Sequence, residues 1–342
     1  MNCAGYRKGK CMSGFEHRHA AHCESGTVAS LLRHQGLDLS EPMVFGIGGG
    51  LFFLHLSFVK MGGIPLTSYR DAPRIIIKNM EKRLGVRWRQ QRYRSAETAM
   101  RSLDGFLAQG QPVGLQTGIY WLSYFPVDMR FHFNGHNIIA YGKQGEDYLV
   151  SDPVIETAVT CLAGDLRRAR FAKGPFAPRG LTYYPELVPA DPDLKAAARD
   201  AIRQTARRMT GIPVPFFGVR GIRTLANKLE HWPEKLGTEQ ARARVSSVVR
   251  MQEEIGTGGA GFRFMYAAFL QEAADLLKTP ALGDAARDLT ATGDRWRDFA
   301  VQGALLVKNK RDDSATYAKL ANLLRECADR EQEIFTRLKS IV

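Results

Sequence analysis

Cys23, His136 and Asp152 are the residues whose types can do chemistry together. Cys23 stands in His22-Cys23-Glu24-Ser25-Gly26-Thr27, ahead of Val28, Leu31 and Leu32. Small polar residues followed by apolar ones at helical spacing mark a helix start. There, unpaired N–H groups and the positive end of the helix dipole favour the thiolate, which is the nucleophilic form of cysteine. His136, ahead of the apolar run Ile138-Ile139, would take the thiol proton. Asp152 would hold the imidazole in one tautomer and stabilise its cation. Each residue also has a plainer use. A cysteine can be a small buried residue, a histidine can be structural, and an aspartate before proline can belong to a turn.

The elements around these residues decide whether they meet. The helix after Cys23 is expected to run to about His34, with Gly36 as its stop. Asn137 to Tyr141 and Tyr148 to Ser151 read as strands joined by the turn-rich stretch 142–147. Pro153 ends the second strand and keeps Asp152 extended. Two antiparallel strands joined in this way would set His136 and Asp152 side by side. Further elements are a helix from Asp71-Ala72-Pro73 to Gly85, a strand at 86–89, a helix over 96–109 and strands at 112–117 and 181–184. The glycine run Gly46-Ile47-Gly48-Gly49-Gly50 lacks the Lys-Ser/Thr of a phosphate loop and reads as a tight turn or a close backbone approach. After Pro185 the chain becomes rich in Ala, Arg and Leu. Helices are expected near 193–209, 219–230, 237–255, 262–278, 283–306 and 312–340. The organisation is therefore α+β: a flexible N-terminus over 1–20, an α+β domain over 21–188 and an all-α domain over 189–342.

Composition narrows the partners. The chain carries a formal net charge of +13 over 342 residues, with 44% hydrophobic residues. That balance implies acidic partners. No nucleic-acid motif is recognisable and no apolar run spans a membrane, so neither is expected as a partner. Five scattered cysteines argue against a disulfide framework and for a reducing cytoplasm. The first fifteen residues lack the apolar core of a secretory signal. Cys3, Cys11, His17, His19 and His22 match no zinc spacing, and no metal is expected.

A helix-borne cysteine, then a histidine opening a strand, then an acid on the next strand is the order of a papain-like thiol site. His22-Cys23-Glu24-Ser25, Phe45-Gly46-Ile47-Gly48-Gly49-Gly50-Leu51, Phe133-Asn134-Gly135-His136 and Ser151-Asp152-Pro153 resemble the N-terminal domain of the butirosin biosynthesis protein H family. Gly258 to Tyr266, with Phe269 to Ala274, resembles the helical domain that follows it. The resemblance implies a papain-like fold used for acyl transfer. An acyl or aminoacyl group would leave the phosphopantetheine thioester of an acyl carrier protein, form an acyl-enzyme on Cys23, and pass to an amine or hydroxyl of a small molecule. The phosphopantetheine belongs to the donor, and no cofactor of the enzyme's own is implied. A cysteine peptidase or amidohydrolase on the same scaffold is the alternative. Gly118 departs from the family, which commonly carries an acid near that point.

Other sites are placed less directly. The backbone N–H of Cys23 can serve an oxyanion hole, with Asn134 or His22 as candidates for a second donor. Arg263, Tyr266 and Glu272 lie on one expected helix, read as covering the active-site cleft and contacting substrate. Residues 70–94 hold nine basic residues against two acids. Arg74, Lys78 and Lys82 are spaced by four, so on a helix they form one stripe suited to an acidic carrier protein.

Overall fold

The computed structural model describes residues 6–8, 14–61, 63–309 and 314–342. Along the chain the elements are β1 (Tyr6–Lys8), α1 (Cys23–His34), α2 (Glu41–Ile47), β2 (Leu51–Met61), β3 (Ile64–Arg70), α3 (Ile75–Leu84), β4 (Arg87–Gln91) and α4 (Ala96–Ala108). There follow β5 (Val113–Thr117), β6 (His136–Gln144), β7 (Asp147–Ser151), β8 (Val159–Cys161), α5 (Ala163–Arg170) and β9 (Thr182–Pro189). The rest is helical: α6 (Leu194–Gly211), α7 (Gly218–Glu230), α8 (Trp232–Leu236), α9 (Thr238–Glu253), α10 (Arg263–Leu277), α11 (Pro280–Asn309) and α12 (Ser314–Ile341).

The chain divides into two compact units: Met1–Val44 with Ile76–Asp193, and Phe45–Ile75 with Leu194–Val342. The first unit is built on an antiparallel sheet of order β1-β9-β5-β6-β7-β8, with β4 also paired to β9. In the register, Thr117 faces His136 and Gln116 faces Asn137. Alternate residues then line opposite faces. Val113, Leu115, Ile138, Ala140 and Val150 pack with Leu103 of α4 and with Leu166 and Ala169 of α5. Helix α1 packs against β5, β6 and β9. Residues 14–20, expected within a flexible N-terminus, are tied to this unit. Phe15 stacks on Tyr141 with ring centroids 5.2 Å apart, the His17 ring is 2.8 Å from Ser151 Oγ, and the Ala20 N–H donates to Pro153 O at 2.6 Å. Cys3 and Cys11 lie outside the described residues.

The second unit corrects the expected division. Residues 45–75 contribute the β2–β3 hairpin, and this stretch groups with the C-terminal helices rather than with the α+β domain. The reason is where its aromatic residues are buried. Phe45 stacks on Phe262 at 4.9 Å, and Phe53 and Tyr69 contact Trp296 at 6.1 and 5.5 Å. The glycine run is the close approach that the plainer reading anticipated: a Cβ on Gly46 would stand 2.0 Å from Cγ of Phe269. Helix α3 starts four residues later than Asp71, whose carboxylate accepts from Ala72 N–H and from Arg208.

Arg263 lies at the centre of this unit. Its guanidinium donates to both oxygens of Glu331 at 2.8 and 3.0 Å, and to Gly261 O at 2.8 Å. Trp296 Nε1 donates to the same carboxylate at 2.7 Å, and the Arg263 guanidinium lies 4.8 Å from the centroid of the Trp296 ring. Both charged side chains are fully buried. Removing one partner leaves the other charge uncompensated, which costs about 3–5 kcal/mol. Glu331→Ala should lower the unfolding free energy by that order in chemical denaturation. Glu331→Gln keeps an acceptor for Arg263 and should lose less. Equal stability of wild type and Glu331→Ala would contradict this account of the core.

Candidate active site

Cys23 is the first residue of α1, and His22 is its N-cap with extended backbone. The His22 ring accepts from Ser25 N–H at 3.3 Å and lies 2.9 Å from Ser25 Oγ. Glu41 fixes the approach to the helix. Its carboxylate accepts from the N–H groups of Ala21 and His22 at 2.9 and 2.8 Å, and from Ser25 Oγ at 2.9 Å. Burial raises the pKa of Glu41 and these three donors oppose the rise. Cys23 is therefore carried on a rigid corner. Its own N–H belongs to the set that an α-helix cannot satisfy internally.

His136 opens β6, and Asp152 follows the last residue of β7. His136 Nε2 lies 2.6 Å from Asp152 Oδ2, and both side chains are buried. Asp152 also accepts from Tyr124 O–H at 2.8 Å and from Val154 N–H at 3.2 Å. The Cys23 side chain acts on the same ring and favours its charged form. Burial alone would lower the pKa of His136. The charge and hydrogen bond of Asp152, with the side chain of Cys23, outweigh that effect and hold it up to about 10. The imidazole is therefore poised as a cation beside the Cys23 side chain.

Close packing brings the third member in. A Cβ on Gly26, one turn along α1 from Cys23, would stand 2.6 Å from Ala20 Cβ and 2.7 Å from Pro153 Cβ. Only glycine lets Pro153, and with it Asp152, approach the helix that carries the cysteine.

The structure brings Cys23, His136 and Asp152 together and separates the other expected site residues from that role. Asn134 Nδ2 donates to Lys173 O and Pro175 O, both at 3.0 Å, so its amide secures a loop rather than a substrate or an oxyanion. The N–H of His22 is committed to Glu41. Arg263 and Tyr266 have no exposed surface, and Tyr266 packs on Phe269 and Phe335. Side chains buried in that way cannot contact substrate. Glu272 is half-buried on α10. Lys78 and Lys82 are exposed on α3. Arg74 precedes that helix in a left-handed conformation, φ 70°, and does not extend the stripe. Gly118, the departure from the family pattern, has no room for a side chain: a Cβ would meet Asn134 Oδ1 at 2.7 Å and Ala172 Cβ at 2.8 Å. Tyr124, Asn137 and Glu41 escaped the sequence reading. The one available signal was the position of Asn137 directly after His136.

Among the described residues no group of three or more His, Cys, Asp or Glu is arranged to hold a metal ion, and no helix is long and apolar enough to cross a membrane. Burial pushes the Cys161 thiol up to about 12 and raises that of Cys327 further.

Residues 22–153 match the family model of the butirosin biosynthesis protein H N-terminal domain, and residues 164–338 match a domain of unknown function, DUF4872. No curated protein matches the chain. A crystal structure described as a C39-like peptidase from Bacillus anthracis is 14% identical, covers 50% of this chain and 95% of its own, and has a TM-score of 0.34. The fold is α+β, with an antiparallel-sheet unit that carries Cys23, His136 and Asp152 and a helical C-terminal region.

The His136 shift has a sign that stability measurements can read. Below about pH 6.5 the folded and unfolded chains both hold this proton. Between 6.5 and about 10 only the folded chain keeps it. The stabilisation is therefore full below 6.5 and is lost as pH rises through 10. The unfolding free energy should fall more steeply over that window in wild type than in His136→Gln. Parallel slopes would contradict a proton held by Asp152 and Cys23.

Proposed function

We propose, for a chain that belongs to the DUF4872 family and whose residues 22–153 match the butirosin biosynthesis protein H N-terminal domain, that it is a cysteine-dependent acyltransferase. The donor is an acyl or aminoacyl thioester on the phosphopantetheine of an acyl carrier protein, and the acceptor is an amine or hydroxyl of a small molecule. The observation that carries the reading is the 2.6 Å contact between His136 and Asp152, with Cys23, at a helix N-terminus, acting on the same ring.

The chemistry runs in two halves. Cys23 thiolate adds to the thioester carbonyl, and the negative charge on oxygen is met by the N–H of Cys23. The tetrahedral intermediate collapses, the carbon–sulfur bond to pantetheine breaks, and the leaving thiolate takes the proton from His136. The acceptor then adds to the acyl-enzyme and gives its proton to the now neutral imidazole. Collapse expels Cys23 as thiolate and restores the imidazolium. Asp152, held by Tyr124, keeps Nε2 protonated throughout, so the other ring nitrogen does the transfer.

Intact mass spectrometry after mixing with an acyl-carrier thioester should show an acyl adduct on wild type and none on Cys23→Ala. His136→Ala should slow adduct formation on the order of 10³-fold or more. Release of the group as a free acid at the same rate with and without acceptor would assign hydrolysis instead. An adduct that survives Cys23→Ala would overturn the proposal.

The acidic carrier would dock on the basic surface of the first unit, where α3 presents Lys78 and Lys82 while Ile76 and Ile77 are buried beneath them. Rim charges act mainly through steering and are screened by salt. Reversing Lys78 and Lys82 to Glu should raise KM for a carrier-bound donor by roughly tenfold at low salt. Turnover of a free N-acetylcysteamine thioester should stay the same. Equal losses on both donors would remove these lysines from docking.

A further inference from the structure

Asn137 sits on β6 directly after the candidate base and has an environment of its own. Its Nδ2 lies 3.0 Å from Gly135 O and 3.9 Å from Cys23 Sγ, and its Oδ1 accepts from Tyr183 O–H at 2.8 Å. Asn137 is 7% exposed and Tyr183 is fully buried. We propose that Asn137, locked in orientation by Tyr183, is a positioning residue that aims an amide N–H at the Cys23 sulfur and holds the thiolate for attack. The inference rests on the reading of Cys23 as the nucleophile.

The orientation of the amide follows from chemistry. A carbonyl oxygen only accepts, so the side facing Gly135 O must be the NH₂ group. The oxygen then faces Tyr183, whose hydroxyl must donate. One N–H is used by Gly135 and the second is left for sulfur. A thiol sulfur is only a weak acceptor for that N–H, whereas a thiolate is a full acceptor, so the contact favours the charged form. The 3.9 Å separation is long for a hydrogen bond, even to sulfur. It leaves room to tighten as charge develops.

The groups around Cys23 divide the work. His136, backed by Asp152, supplies positive charge from β6. Tyr183 comes from β9, and burial first, then the charges of Glu24 and Cys23, raise its pKa, so it stays a neutral donor. Glu24 is buried next to Cys23 on α1, and His22 caps the helix. The residues of β5 facing α1 carry no titratable side chain. Asn137 is thus a donor to the sulfur that keeps its character at every pH, where the help of His136 depends on its proton.

The test is the pH profile of Cys23 alkylation by iodoacetamide in the full chain, with the modified cysteine identified by peptide mass spectrometry. Asn137→Leu should move the midpoint up by about one unit and lower the rate near pH 6 about tenfold. Tyr183→Phe, which keeps the ring and frees the amide to turn, should lower it about threefold through the same shift. A purely packing role would reduce melting temperature and leave the midpoint unmoved. That result in a folded variant overturns the inference, and if Asn137→Leu does not fold, Tyr183→Phe decides alone. A wild-type midpoint near the ordinary thiol value of about 8.5 would remove the nucleophile reading and this inference with it. A low wild-type midpoint unchanged in both variants would remove only the inference.

Discussion

A buried carboxylate survives without water only when its oxygens are hydrogen-bonded, and Asp152 is bonded to His136, Tyr124 and Val154 N–H. The same bonds turn the residue into a device. The His136 ring cannot rotate away, its Nε2 must carry the proton, and its cation is favoured over the neutral form despite burial. The sheet register sets His136 at the start of β6. Pro153 ends β7 just beyond Asp152, and Gly26 admits that turn to the surface of α1. Without the contact between ring and carboxylate, Cys23 would be one more buried thiol, as Cys161 and Cys327 are.

The parts of this arrangement that were legible in the sequence are those with local signals. A capped helix start, apolar runs of strand length and an aspartate before proline identify Cys23, His136 and Asp152, together with most of the helices after Pro189. What stayed hidden depends on contacts between residues distant in the chain. Tyr124 reaches Asp152 from the loop after β5. Tyr183 reaches Asn137 across the sheet, and Glu41 ties down the residues before α1 from the next helix. No periodicity marks these positions, because each acts through a single polar atom whose partner is set by the tertiary fold.

The division of the chain shows the same limit. Leu51 to Arg70 follows the α1 region in sequence and reads as part of the same domain, yet Phe53 and Tyr69 are buried against Trp296 of α11. Arg263 misled for a related reason. An arginine and a tyrosine three residues apart on a helix suggest a polar face. The structure instead spends the arginine on Glu331, and its neighbours Tyr69 and Trp296 enclose the pair. Which face of a helix is buried is decided by the whole unit rather than by the helix.

The central claim is that His136 rests as an imidazolium beside Cys23, with Asp152 holding the cation. Nuclear magnetic resonance of the protein labelled with ¹⁵N in its histidine rings measures this directly. At pH 8 the His136 ring should give imidazolium shifts in wild type, and Asp152→Asn should move its titration downward. A neutral His136 ring at pH 7 in wild type would contradict the account.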